Sequence, residues 1–77
     1  RVLTPDGRGI RNVAVVLLDK DRNTRTVLTG TFGHYSFRSV APDAWYLLNA
    51  RSRRFRFIPQ RLHVTGPMHD VDLIAQE

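Results

Sequence analysis

Three histidines are the first side chains in this sequence that could hold a metal ion. His34, His63 and His69 have no i,i+2 or i,i+4 spacing that would place two imidazoles on one face. His69 with Asp70 and Asp72 forms the densest group of metal-ligating residues. A closed zinc site needs about four ligands within tetrahedral reach. We therefore expect solvent-facing histidines and no metal site.

Nucleophilic and phosphate-binding chemistry have equally little support in the sequence. Ser36, Ser39 and Ser52 lack the flanking glycines of a nucleophile elbow. Gly7 and Gly9 are not followed by the later glycine and the helix of a phosphate-binding loop. The chain has no cysteine, which removes disulfides and cysteine-based zinc sites. The sequence predicts a protein that is not an enzyme, with no catalytic residue and no cofactor.

The segment 51–57 is the strongest candidate binding site. Its residues are Arg51, Arg53, Arg54 and Arg56, interleaved with Phe55 and Phe57. Arginines can grip phosphates while aromatic rings stack on bases, which suits an acidic glycan or a nucleic acid. The competing interpretation is an edge strand with the phenylalanines in the core and the arginines in solvent. We favour this second interpretation, because any half-buried strand alternates in the same way.

Composition limits the chain to one small domain. It has 77 residues, a net charge of +5 and 42% hydrophobic residues. This length supports one globular core, and no apolar run approaches the ~20 residues of a membrane-spanning helix. Eleven arginines against one lysine favour anionic partners without choosing among them. Because the sequence begins without Met or a signal peptide, residues 1–77 are interpreted as one domain of a larger protein.

Short apolar runs and turn signals recur about every ten residues. This spacing predicts an all-β sandwich of roughly seven strands without a helix. Turns are expected around Pro5, Gly33 and Pro42, and strands include segments 55–57 and 69–75. The predicted core consists of Ala14, Val16, Leu18, Val27, Tyr35, Phe37, Val40, Tyr46, Leu48, Phe55, Phe57, Leu62, Val64, Val71 and Leu73.

The apolar run 13–18 predicts a strand that is buried on both faces, or nearly so. Ala14, Val16 and Leu18 are assigned to its core side. The residues on its outer side are then Val13, Val15 and Leu17. Three aliphatic side chains on an exposed strand predict an interface with a neighbouring domain or a second copy. Coverage by the N-terminal strand or loops of the same domain is nearly as well supported.

The order of turns and strands resembles a known family. The matching segments are Arg1–Ile10, Val13–Leu17, Thr29–Phe37, Val40–Pro42 and Trp45–Leu48. They are similar to the carboxypeptidase regulatory-like domain, a transthyretin-like β-sandwich that is common as a module in bacterial surface and secreted proteins. Thr29–Phe37 is the most specific part of the pattern. Gly30 stands where that family commonly has Asn or Asp, and residues 43–45 replace a glycine-containing turn.

The resemblance implies a fold, a role and a location. The fold is a single seven-stranded Greek-key β-sandwich of the transthyretin or prealbumin type. The role is a non-catalytic module that supports or spaces other domains of a bacterial surface, secreted or periplasmic protein. The expected partners are those neighbouring domains. Self-association through an exposed strand and weak anion binding are the alternatives, and no membrane insertion is expected.

Overall fold

The computed structural model describes residues 1–38, 40, 41, 43–64, 68, 69 and 71–76. These residues contain eight strands and no helix. The strands are β1 (Val2–Leu3), β2 (Ala14–Leu18), β3 (Thr24–Leu28), β4 (Ser36–Phe37), β5 (Ala44–Arg51), β6 (Gln60–Val64), β7 (Met68–His69) and β8 (Leu73–Ile74). The prediction of an all-β fold is confirmed. The predicted strand 69–75 is divided between β7 and β8.

The predicted strand at 55–57 is wrong. Only Arg56 pairs there, in an isolated bridge with Gln76, whose amide donates to the Arg56 carbonyl at 2.7 Å. Pro59 has no N–H to donate to a ladder, and β6 begins directly after it at Gln60. Segment 52–59 is therefore a long connection between two paired strands.

The largest sheet is antiparallel and has the strand order β3-β2-β5-β6. Two smaller pairs complete the fold, a parallel β1–β8 pair and an antiparallel β4–β7 pair. β5 is the longest strand, with eight residues, and hydrogen-bonds to both β2 and β6. The chain passes through β4 in another sheet before β5 returns to lie beside β2.

One face of the four-stranded sheet forms the core, and the predicted orientation of β2 is inverted. Val13, Val15 and Leu17 are only 1%, 0% and 2% exposed. They are core residues, so the prediction that they form an external interface is wrong. The pairing explains this result, because residues directly opposite each other in antiparallel strands share a face. Val15 pairs with Ala50 and Leu17 pairs with Leu48, and both partners are buried.

The remaining core residues come from the four-stranded sheet and from the two smaller strand pairs, and they largely match the prediction. The buried hydrophobic side chains are Val2, Val13, Val15, Leu17, Tyr35, Phe37, Tyr46, Leu48, Ala50, Val64, Leu73 and Ala75. Val27, Val40, Phe57, Leu62 and Val71 are partly buried against them. The Tyr35 hydroxyl donates to the Val71 carbonyl, and the Tyr46 hydroxyl donates to the Ala41 carbonyl. The buried ends of both rings are thus hydrogen-bonded, as packing of tyrosine requires.

Two glycines allow the N-terminal segment to cross the turn that follows β3. Gly33 has φ +80°, and a Cβ at this position would lie 2.3 Å from the Val2 carbonyl oxygen. A Cβ at Gly9 would lie 2.0 Å from the Phe32 carbonyl oxygen. Only glycine fits such close backbone contacts. The predicted turn at Gly33 is confirmed, and it fixes the path of residues 1–10.

Candidate functional site

The outer side of the four-stranded sheet carries an apolar surface, which we call the outer sheet face. It consists of Ala14, Val16 and Leu18 of β2, Leu28 of β3, and Trp45 and Leu47 of β5. Leu28, Trp45 and Leu47 are 65%, 59% and 39% exposed. Leu18 pairs directly with Leu47, so the apolar side chains continue across adjacent strands. An exposed apolar patch of this kind is typical of a protein interaction surface.

The rim of the outer sheet face is mainly basic near Trp45. The His63 and Trp45 rings lie 5.1 Å apart between centroids, at 46°. Arg61 pairs with Leu47 across β5 and β6. Lys20, Arg61 and the acidic Asp19 border a shallow groove against Trp45 and Leu47. This end of the face therefore combines an aromatic centre with a mixed, mostly cationic edge.

The four arginines of the predicted basic strand are all exposed, but they do not form one strand. Arg51 ends β5, where it pairs with Ala14. Arg53 and Arg54 lie in a bend, and Arg56 makes the isolated bridge. The Arg54 guanidinium lies 6.0 Å from the centroid of the Phe55 ring. The segment is therefore a series of separate basic positions.

Arg54 instead lines a groove together with two arginines that were not predicted as site residues. Arg8, Arg11 and Arg54 line one open groove, together with Thr4, Asn12 and Ser52, and we call this site the basic groove. Its volume is about 490 Å³. It lies beyond the end of the sheet where β2 begins and β5 ends. Arg54 is more than forty positions away from Arg8 and Arg11 in the sequence, so no local motif marks the three arginines as a group.

A buried threonine holds the wall of the basic groove that contains Arg11. Thr29 is 3% exposed. Its hydroxyl donates to the Ile10 carbonyl at 2.6 Å and accepts from the Val13 amide at 3.0 Å. The Asn12 amide donates to the Thr29 carbonyl at 3.1 Å. Asn12 has φ 58°, a left-handed conformation that asparagine tolerates better than most residues.

An acidic residue, Asp6, lies beside the groove and contacts two of the residues that line it. The Arg8 side chain donates to Asp6 at 3.3 Å, and the Thr4 hydroxyl donates to the same carboxylate. The hydrogen bond from Thr4, reinforced by the Arg8 side chain, holds the pKa of Asp6 below its usual value. Neither Arg11 nor Arg54 forms an ion pair with a carboxylate that the structure describes.

The residues considered for metal and nucleophilic chemistry are dispersed. His34 is exposed directly after the turn at 31–33, and His63 lies beside Trp45. Within the described ranges, no three histidine or acidic residues lie close enough together to hold a metal ion. Ser36 is on β4 and Ser52 lines the basic groove. The side chain of His69, together with Ser39 and Asp70, lies outside the described residues.

Comparison with known proteins adds no assignment: no family model, no curated protein and no solved structure matches this chain. In the part of the chain that the structure describes, no helix is long and apolar enough to span a membrane. Functional inference therefore rests on the outer sheet face and the basic groove.

Proposed function

We propose that this chain is a non-catalytic interaction module that supports or spaces neighbouring domains of a larger protein. The observation that carries the proposal is the outer sheet face, where Leu28, Trp45 and Leu47 are exposed on regular strands. Large apolar side chains on a rigid sheet provide contact area with little conformational cost. Such a surface suits stable docking between domains.

The proposal includes the finer fold and the location that the family resemblance implies. A transthyretin-like Greek-key sandwich is supported by the return of β5 beside β2 after β4 has paired in another sheet. It is also supported by the Tyr46 hydroxyl, which bonds back to the Ala41 carbonyl, as in the tyrosine corner of Greek-key sandwiches. The proposed location is a bacterial surface, secreted or periplasmic protein.

The proposed occupant of the outer sheet face is an adjacent domain whose apolar surface has acidic residues at its edge. Lys20, Arg51 and Arg61 lie around the face, and Asp19 is the acidic residue that lines the groove beside Trp45. A second copy of the chain would place this cationic edge against itself, and each copy carries a net charge of +5. Charge complementarity therefore favours a different, acidic partner over a homodimer.

The test uses Trp45, the only tryptophan of the chain, as a reporter. The chain is labelled with 5-fluorotryptophan, and unlabelled neighbouring domains of its parent protein are added during ¹⁹F NMR. We expect one of them to shift or broaden the Trp45 signal. Leu47→Lys should weaken the effect, whereas Ile74→Lys, at a 51% exposed position on β8, should not. An unchanged signal with every neighbouring domain, or equal loss in both variants, contradicts the proposal.

A second proposed function is anion binding, which one observation favours. Arg54 from the predicted basic segment lines the basic groove with Arg8 and Arg11. Clustered guanidinium groups attract and orient oxyanions through paired, charge-assisted hydrogen bonds. Retention on a heparin column at physiological salt tests this function, and elution from the column below physiological salt contradicts it.

A further inference from the structure

We propose that the basic groove binds a phosphomonoester group on a molecule about the size of a sugar. This inference rests on the proposed anion-binding function and specifies its ligand. The site is lined by Arg8, Arg11 and Arg54, together with the polar residues Thr4, Asn12 and Ser52.

Charge selects the ligand class. The three arginines supply three positive charges, and the Asp6 carboxylate, 3.3 Å from the Arg8 side chain, offsets one of them. The remaining two charges match a phosphomonoester, which carries about −1.5 to −2 at neutral pH. A sulfate ester or a phosphodiester carries only one negative charge and would leave one guanidinium without a counter-charge. The groove therefore favours a doubly charged group.

The backbone around the groove is held in place before a ligand arrives. Thr29 fixes the segment that precedes β2 through its bonds to Ile10 and Val13. Arg8 is held by its amide, which donates to the Thr4 hydroxyl oxygen at 2.9 Å. The Arg54 amide donates to the Ser52 hydroxyl oxygen at 3.2 Å. Because these bonds order the chain in advance, binding requires ordering of little more than the arginine side chains.

Size and chemistry favour a sugar phosphate over a nucleic acid. The volume of about 490 Å³ lies within the range of small-molecule sites, roughly 300–1,000 Å³. Asn12 and Ser52 offer hydrogen-bonding groups for sugar hydroxyls. Among the described residues that line the groove, Phe55 is the only aromatic one; it is half-buried and lies beneath the Arg54 guanidinium. It therefore offers no open ring on which a base could stack, as single-strand binding requires.

Isothermal titration calorimetry with glucose 6-phosphate tests the inference, and glucose 6-sulfate serves as a matched ligand of lower charge. The variants are Arg11→Gln and Arg54→Gln, with Arg53→Gln as the control. Arg53 is an exposed neighbour in the same bend that does not line the groove, and its replacement changes the net charge equally. Thermal unfolding of each variant verifies that the fold is intact.

We expect glucose 6-phosphate to bind more tightly than glucose 6-sulfate. Arg11→Gln and Arg54→Gln should each weaken binding about tenfold, the loss expected for a charge-assisted hydrogen bond. Arg53→Gln should change it less than about twofold at 0.15 M salt, because screening limits distant charges. Equal losses in all three variants overturn the site.

Two further outcomes separate this inference from the function on which it rests. If glucose 6-sulfate or a double-stranded DNA oligonucleotide binds through Arg54 more tightly than glucose 6-phosphate, the groove binds anions but the phosphomonoester assignment is overturned. If neither glucose ester, DNA nor heparin binds at physiological salt, both the assignment and the anion-binding function are overturned.

Discussion

The two ends of β5 present opposite chemistry on one sheet. Near its first residues, Trp45 and Leu47 meet Leu18 in an apolar surface. Near its last residue, Arg51, the sheet gives way to loops that form the basic groove. Trp45 and Arg51 are separated by roughly 20 Å along an extended strand. Regular strands present the apolar end and irregular connections build the basic end, so the two surfaces place different demands on the sequence.

The largest expected effect tests which side of β2 faces outward. Val15→Asp should cost more than about 4 kcal/mol of unfolding free energy, because it places an unpaired carboxylate in the core. Val15 is 0% exposed and lies between Val27 and Ala50. Chemical denaturation monitored by circular dichroism measures the loss.

Val16→Asp is the matched control, one residue along on the outer sheet face. It should fold and lose far less stability, since its carboxylate remains in contact with water. Similar losses for the two variants would show that the sheet has no distinct inner and outer side.

This inversion shows why the sequence predicted the existence of an apolar face but not its residues. A run in which every position is aliphatic contains no alternation, so it cannot reveal which residues face the core. In β5 the buried side was predicted correctly at Tyr46 and Leu48, which are both buried. Register transfers that assignment to β2, because Leu48 pairs with Leu17. The missing information was the pairing of β2 with β5, which is a tertiary contact.

The basic groove was not predicted from the sequence, and the reason is different. Segment 51–57 drew attention because its arginines are close in sequence, yet only Arg54 lines the groove. Arg8 and Arg11 reach it because the chain before β2 crosses the turn at Gly33, where Gly9 lies against the Phe32 backbone. A site assembled from two loops depends on contacts that no single segment encodes, so local sequence patterns do not reveal it.

The next effect tests whether the groove depends on a buried hydrogen-bonding group. Thr29→Val keeps the side-chain shape but leaves the Ile10 carbonyl and the Val13 amide without their side-chain partner. We expect a loss of about 1–3 kcal/mol in unfolding free energy and weaker anion binding. Thr26→Val, at an exposed position of β3, should remain within about 0.5 kcal/mol of the parent chain. Unchanged anion binding in a destabilised Thr29→Val variant would show that the wall does not shape the groove.

Two substitutions with smaller expected effects test whether the two ends of β5 act independently. Trp45→Ala should weaken domain docking about tenfold or more, since exposed tryptophans are frequent binding hot spots, and should leave glucose 6-phosphate binding unchanged. Arg54→Gln should produce the reverse pattern. ¹⁹F NMR cannot follow a variant without tryptophan, so docking of both variants is measured by surface plasmon resonance. Loss of both activities in either variant would show that the two surfaces form one site.

The smallest expected effect concerns the acidic residue beside the groove. The hydrogen bond from Thr4, reinforced by Arg8, lowers the folded-state pKa of Asp6 below its unfolded value. Its stabilising contribution is therefore fully present above the unfolded pKa, which is near 3.8, and is lost as the pH falls through the lower folded pKa. Asp6→Asn should consequently unfold slightly earlier than the parent chain at pH 7, and the difference should shrink towards pH 3. The stability effect is small because both side chains are exposed.

The same substitution removes the carboxylate that offsets Arg8, so it should strengthen glucose 6-phosphate binding at pH 7. Weaker binding in Asp6→Asn would show that Asp6 positions Arg8 for the ligand instead of competing with it.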